Sequence, residues 1–214
     1  MNHELLKKFF VVNADQLDAA YDEPACQDDL AAVAARVADV LAGHTVLELA
    51  CGTGYWTRII AETADAVHAT DISSEVLARA EAHGLPDNVT FGQADAFDLP
   101  ADIGEYTAVF AGLWWSHVKR EEQEKHLAQL RAKLGKDVLL VLVDECYVEG
   151  LTTVIARTDL EGNTHQQRMM AGERVEIVKN FPTDSYLRKK LGNAAREIRV
   201  RRSEHYWLLT ARLK

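Results

Sequence analysis

The feature that most constrains this chain is a short apolar run that ends in a glycine loop. Thr45-Val46-Leu47-Glu48-Leu49-Ala50 has the length and composition of a strand buried on both faces, and Cys51-Gly52-Thr53-Gly54 follows without a spacer. Glycines at such a turn let the backbone approach a ligand closely, and the helix expected from there to about Ala64 starts with unpaired N–H groups. Further along, residues 66–72 read as a second strand, and Ser73-Ser74-Glu75 opens a helix with a capping hydroxyl and an early acid. Residues 89–92 and 107–111 read as a third and a fourth strand. An amphipathic helix over 120–134 leads to a fifth, fully apolar strand at 138–143. Strands alternating with helices predict an α/β fold, a parallel, doubly wound sheet with helices on both faces.

The flanks differ from this centre. Leu30, Val33, Ala34, Val37, Val40 and Leu41 form one apolar stripe at helical spacing, and Gly43 stops that helix. Beyond Asp144 the alternation breaks. Residues 152–178 hold β-rich pieces with turns at Glu161-Gly162-Asn163 and Ala171-Gly172-Glu173, followed by a helix over 184–191. Two last strands, 197–201 and 206–213, are expected to form a closing hairpin.

Composition narrows the class. A chain of 214 residues fits one domain and buries roughly 70% of its unfolded surface without a disulfide or metal staple. The longest aliphatic run, 138–143, is far short of the ~20 residues of a membrane helix, and Phe9-Phe10-Val11-Val12 is too short for a secretory signal. Three cysteines, Cys26, Cys51 and Cys146, form no C-x-x-C pair, which suits a reducing cytoplasm. A net charge of -9 argues against a general nucleic-acid binder. The C-terminal segment from Tyr186 to Lys214 nevertheless holds nine Lys or Arg against two Glu. A basic edge packed near an acidic body accounts for it, and a patch for an anionic substrate or RNA is the alternative.

The glycine loop departs from a dinucleotide fingerprint. Gly52 and Gly54 fit, but Thr57 stands at the third glycine position, and Glu48 beside the loop would repel a pyrophosphate. A carboxylate there suits a ligand with an ammonium group. Asp71 closes the second strand, where an acid accepts hydrogen bonds from ribose hydroxyls. The third strand runs into Gln93-Ala94-Asp95-Ala96-Phe97, so three consecutive strands carry an acid at the same sheet edge.

With these residues the chain resembles the class I S-adenosylmethionine-dependent methyltransferases, from about Val46 to Asp144 and more weakly in the last two strands. Glu48-Leu-Ala-Cys-Gly-Thr-Gly54 is similar to that family's first motif, and Asp71 stands where its ribose acid stands. The resemblance implies a Rossmann-like sheet of seven strands in the order 3-2-1-4-5-7-6 with strand 7 antiparallel, plus N-terminal helices and a β-rich insertion after strand 5. It implies S-adenosyl-L-methionine as cofactor and S-adenosyl-L-homocysteine as product. Asp95 would accept from the adenine amino group, and Ile72 and Phe97 would contact the ring. Glu48 and Gly52 would line the methionine end; Ala96 belongs to the segment that meets adenine, Ala50, Gly54 and Gly112 complete the expected cofactor-binding residues, and Trp56 would face either cofactor or core. The whole chain then reads as one methyltransferase domain: a helical lid over 1–43, a cofactor-binding core over 44–145, a substrate-capping insertion over 146–183, and a closing helix and hairpin over 184–214.

Methyl transfer chiefly requires a nucleophile aligned with an activated methyl group, with a general base where the nucleophile carries a proton. The fourth strand ends in Ala111-Gly112-Leu113-Trp114-Trp115-Ser116-His117. Trp114 and Trp115 offer a π surface for an acceptor, at least one of them being structural, and His117 is the candidate base. Tyr21 is a candidate lid residue, and His165 and Arg168 in the polar run of the insertion are candidates for closing the substrate pocket. Cys51 reads as a packing residue. No metal-ligand spacing is evident. A compact, small-molecule acceptor methylated at O, N or S is the leading reading, with no membrane partner and the oligomeric state left open. An RNA methyltransferase, a non-catalytic S-adenosylmethionine-binding protein and an NAD-linked oxidoreductase compete with it.

Overall fold

The computed structural model describes residues 3–14 and 18–214. Helices α1 (His3–Val12) and α2 (Gln27–Leu41) precede strand β1 (Thr45–Leu49). Then come α3 (Tyr55–Ala61), β2 (Ala66–Asp71), α4 (Ser74–Ala82), β3 (Val89–Gln93), β4 (Ala108–Gly112), α5 (Gln123–Leu134) and β5 (Leu139–Glu145). Three strands, β6 (Ile155–Thr158), β7 (Thr164–Met170) and β8 (Glu173–Val178), lead to α6 (Asp184–Leu191) and the hairpin β9 (Ala195–Arg202) and β10 (Tyr206–Leu213).

Seven strands make one sheet in the order β3-β2-β1-β4-β5-β10-β9. The first five are parallel, and β10 runs antiparallel to both β5 and β9. This is the order expected from the sequence resemblance, β10 being the antiparallel seventh strand. Alternation along the strands sorts the core into two layers. Leu47, Leu49, Val109, Leu140, Leu142, Trp207 and Leu209 pack on one side with Leu127 and Leu130 of α5 and Leu187 and Leu191 of α6. Val46, Phe110, Val141, Val143 and Leu208 pack on the other with Leu30, Val37 and Leu41 of α2 and Trp56 and Ile60 of α3.

One crossover corrects the expected strand–helix alternation: residues 94–107, between β3 and β4, form no helix. The Asp95 side chain accepts from the Phe97 N–H at 2.9 Å, and the Asp98 N–H donates to the Asp95 carbonyl. Local bonds of this kind satisfy the backbone as turns, and Pro100 lacks the N–H a helix would use.

The insertion forms a separate antiparallel sheet, β6-β7-β8, with turns where Gly162 and Gly172 stand. Asn163 fastens it to the body. The Asn163 Oδ1 accepts from the Arg120 N–H at 2.8 Å and from Asn180 Nδ2 at 3.2 Å. Its Nδ2 donates to Glu121 at 3.0 Å and Asp159 at 3.2 Å. Cations of the basic C-terminal segment, near the β9 edge of the main sheet, are engaged within the protein. Arg196 pairs with Asp137 and Glu197, Lys190 with Glu124, and Arg202 with Asp184. Among the described residues no helix is long and apolar enough to cross a membrane.

Asn163→Ala leaves buried donors and acceptors without partners, so it is expected to lower stability by about 2 kcal/mol. Scanning calorimetry should show a fall of roughly 4–8 °C in Tm.

Candidate active site

The strand order reverses between β1 and β4, the place where open α/β sheets bind ligands. A cavity of about 390 Å³ opens there at the carboxyl ends of the strands. That volume lies within the range of about 300–1,000 Å³ typical of small-molecule sites.

Its inner wall is the glycine loop with the ends of β2 and β3. Gly54, at φ +89°, is left-handed and starts α3, and a Cβ there would lie 3.3 Å from that of Ala80. It serves the turn and the packing of α4, and it does not line the cavity. Gly52 does, and its N–H donates to Asp71 Oδ2 at 3.1 Å. The other Asp71 oxygen accepts from the Ser73 N–H at 3.0 Å. Burial pushes the Asp71 carboxyl up despite these bonds. A carboxylate has about four acceptor positions, so Asp71 is fixed in place with capacity left for a ligand's hydroxyls. Ile72, Ala96 and Phe97 line the wall next to it. Asp95 faces the cavity and is paired with Lys7 of α1 at 2.8 Å.

The roof comes from the N-terminal segment. Leu6, Phe9, Phe10 and Val11 of α1 line it. Asp18 accepts a short hydrogen bond from the Thr53 hydroxyl, and Tyr21 stacks on Tyr55 with ring centroids 3.7 Å apart. Phe10 meets His117 edge-on at 5.1 Å. Each of these clasps ends on a residue of the cavity wall.

The far wall joins the end of β4 to the insertion. Gly112 is not left-handed; it is glycine for space, since a Cβ there would lie 2.4 Å from Trp56 Cδ1 and 2.5 Å from its Nε1. Ala50 (φ 52°) and Leu113 (φ 53°) line the same region with left-handed backbone, uncommon for residues with a side chain and concentrated at functional sites. Both tryptophans pack in the core, but only Trp114 also lines the cavity; Trp115 is wholly buried and does not take the expected place beside an acceptor. His117 lines the cavity with its Nδ1 2.6 Å from the Val178 carbonyl. A carbonyl only accepts, so Nδ1 carries the proton and Nε2 keeps its lone pair. Burial, together with the nearby Lys179 ammonium, lowers His117 to about 3, and the ring is neutral. Lys179 is itself held at 3.0 Å from Asp144 and 2.8 Å from Glu145.

Besides Gly54 and Trp115, two more expected site residues lie outside the cavity lining. His165 is buried beneath its own hairpin, with Nε2 2.9 Å from Asp159 and Nδ1 3.4 Å from Arg157, and has no place in the cavity. Glu48 is buried behind the glycine loop with one oxygen lacking a hydrogen-bond partner, and burial raises its pKa to about 8. At neutral pH it is a protonated acid outside the cavity lining, which does not fit the expected contact with an ammonium group. Cys51 is buried and lines the cavity without a charged partner. The sequence reading missed Lys7, Phe9, Phe10, Thr53, Tyr55, Glu145, Met169, Ile177 and Lys179. Thr53 and Tyr55 flank the glycines, and that adjacency was a usable signal; the others come from elements whose approach no local pattern reveals.

Comparison with known proteins agrees with this geometry. A methyltransferase-domain family profile matches residues 46–137. The solved complex of DhpI with S-adenosylhomocysteine (SAH) is 30% identical, covers 100% of this chain and 98% of that one, and superposes with a TM-score of 0.74. The chain belongs to the S-adenosylmethionine-dependent methyltransferases. A second DhpI structure, with S-adenosylmethionine (SAM) and HEP, is 28% identical with a TM-score of 0.71, covering 99% of each chain. Methyltransferase GfsG of Streptomyces halstedii is 25% identical over 193 residues, covering 84% of this chain and 66% of that protein. The ubiquinone/menaquinone biosynthesis C-methyltransferase UbiE of Allorhizobium ampelinum is 29% identical over 154 residues, covering 66% of this chain and 60% of its own. The chain therefore spans just under two thirds or less of these curated relatives. SAM is the cofactor, and the site fits it: a buried acid fixed by the glycine-loop N–H, apolar walls around Ile72 and Phe97, and a cavity of small-molecule size.

Two outcomes test this site. Gly112→Ala should displace the Trp56 indole, lowering stability by about 1–3 kcal/mol and weakening SAH binding in calorimetric titration. Adding Trp56→Phe should recover part of the stability, a coupling that a double-mutant cycle reads directly. For Glu48 the folded-state pKa is raised from 4.5 to about 8, so the fold is favoured by the protonated acid and loses stability as pH rises through that window. The Tm of the cofactor-free protein should fall between pH 5 and 8.5, and Glu48→Gln should flatten that fall.

Proposed function

We propose that this methyltransferase transfers the methyl group of SAM to an O, N or S atom of a small molecule held between the cofactor wall and the insertion. The observation that carries the reading is one roofed cavity holding both the cofactor acids, Asp71 and Asp95, and the polar side chains His117 and Arg168. A relative named for ubiquinone/menaquinone biosynthesis supports a small-molecule acceptor.

When bound, the cofactor supplies an activated methyl group on sulfonium sulfur. Asp71 holds the ribose hydroxyls, and Asp95 is offered to the adenine amino group while α1 is clasped to it through Lys7. Trp114, Phe10 and Ile177 exclude water from the acceptor side and orient an apolar body there. His117, locked by the Val178 carbonyl, presents the Nε2 lone pair to a proton on the acceptor. That proton becomes strongly acidic as its atom gains a new bond, so a weakly basic imidazole can take it up late in the reaction. Residues 3–14 and 18–21 act as a lid, consistent with their clasps onto Asp95, Thr53, Tyr55 and His117, whereas α2, expected within a lid over 1–43, packs into the core instead.

Asp71→Ala should weaken SAM binding at least tenfold, the loss of a hydrogen bond to a charged group being about 1.5–3 kcal/mol. With an identified acceptor, His117→Ala should reduce turnover by about 10²–10⁴ while leaving SAH affinity intact. Because His117 is lowered to about 3, its neutral form persists above that pH, so the kcat/KM profile should show no imidazole limb between pH 5 and 8. Unchanged turnover in the alanine variant would remove His117 from the mechanism.

A further inference from the structure

Arg168 stands apart from the other cations of the cavity. Lys7 is paired with Asp95 and Glu4, and Lys179 with Asp144 and Glu145. Arg168 lines the same cavity from β7 and, among the described residues, forms no ion pair. There its hydrogen bond runs from Nη2 to the neutral Gln166 Oε1 at 3.0 Å, and its Nε is buried with no partner. Glu145 attracts it from a distance but is already held by Lys179 at 2.8 Å. A guanidinium stays charged in any protein environment, and a buried N–H without an acceptor is unfavourable, so the position is incomplete without an anionic oxygen.

We propose, resting on the methyltransferase reading above, that Arg168 is the specificity residue for the acceptor and that the acceptor is a small acid whose oxyanion it binds. The fork of N–H donors on arginine matches the paired oxygens of a carboxylate or phosphoryl group. The cofactor's own carboxylate is the other anion that could reach this cavity. Arg168 projects from β7, which pairs with β8, and β8 carries the Val178 carbonyl that holds His117. That places it on the acceptor side. His117 next to it offers a lone pair and no positive charge, so the oxyanion falls to Arg168.

The test uses the full chain saturated with SAH, titrated calorimetrically at constant ionic strength with acetate, inorganic phosphate, benzoate, phenyl phosphate and the neutral benzamide and phenol. At least one anion should bind, tenfold or more tighter than its neutral counterpart. Arg168→Gln should abolish that preference, and Arg168→Lys should keep part of it, with melting curves confirming that both variants fold. Preference for acetate and benzoate would assign a carboxylate, and preference for the phosphates a phosphoryl group. Equal binding of anions and neutral compounds, no anion binding, or an anion preference that survives in Arg168→Gln would overturn the proposal. So would loss of SAH affinity in that variant, which would give Arg168 to the cofactor's carboxylate. Failure of the wild-type protein to bind SAH would instead count against the methyltransferase reading itself.

Discussion

The contact on which the site depends is the hydrogen bond from the Gly52 N–H to Asp71 Oδ2. It joins the loop after β1 to the end of β2, and with the Ser73 N–H it fixes a buried carboxylate whose ionisation burial opposes. Backbone N–H groups cannot be repositioned without moving β1 or α4, so the acid has one orientation. The neighbouring glycine, Gly54, permits the left-handed turn that brings α3 and α4 together behind it. Everything on the cofactor side of the cavity is built around that arrangement.

The acceptor side is assembled on a different principle. There the fold gathers buried charges from distant segments, and their neutralisation decides what each can do. Lys179 sits between Asp144 and Glu145, so it organises the end of β5 and keeps its charge. Its field, with burial, holds His117 neutral. A buried pair of this kind contributes little net stability, but removal of one partner would leave an uncompensated charge in the core. Arg168 is the one cation of the cavity wall left without such a partner among the described residues, and the proposed role in binding an acceptor rests on that asymmetry.

The N-terminal segment connects the two sides. Lys7 reaches Asp95, Asp18 reaches Thr53, Tyr21 covers Tyr55, and Phe10 touches His117. The roof therefore rests on residues that face cofactor or acceptor rather than on an independent core.

Much of the sheet was legible from residues alone. The run 45–50, the acid at 71 and the apolar run at 138–143 are local patterns, and parallel strands buried on both faces leave an apolar signature that needs no tertiary context. Asp71, Asp95, Trp114 and His117 were legible because they follow strand ends whose places the chain fixes, and Arg168 because it stands in a polar run of the insertion; all five line the cavity. Tertiary structure decided the rest. Glu48 follows the motif in sequence, yet the alternation of side chains along β1 turns it into the core, where burial protonates it. His165 lies three residues from Arg168 on β7, so the pleat sends the two to opposite faces, His165 to Asp159 and Arg168 to the cavity. Gly112 reads as a strand end in sequence, and only the approach of Trp56 from another element shows why no side chain fits there. Local patterns determine which backbone forms. The face a charged side chain presents, and whether a counter-charge meets it, is decided by contacts between segments far apart in the chain.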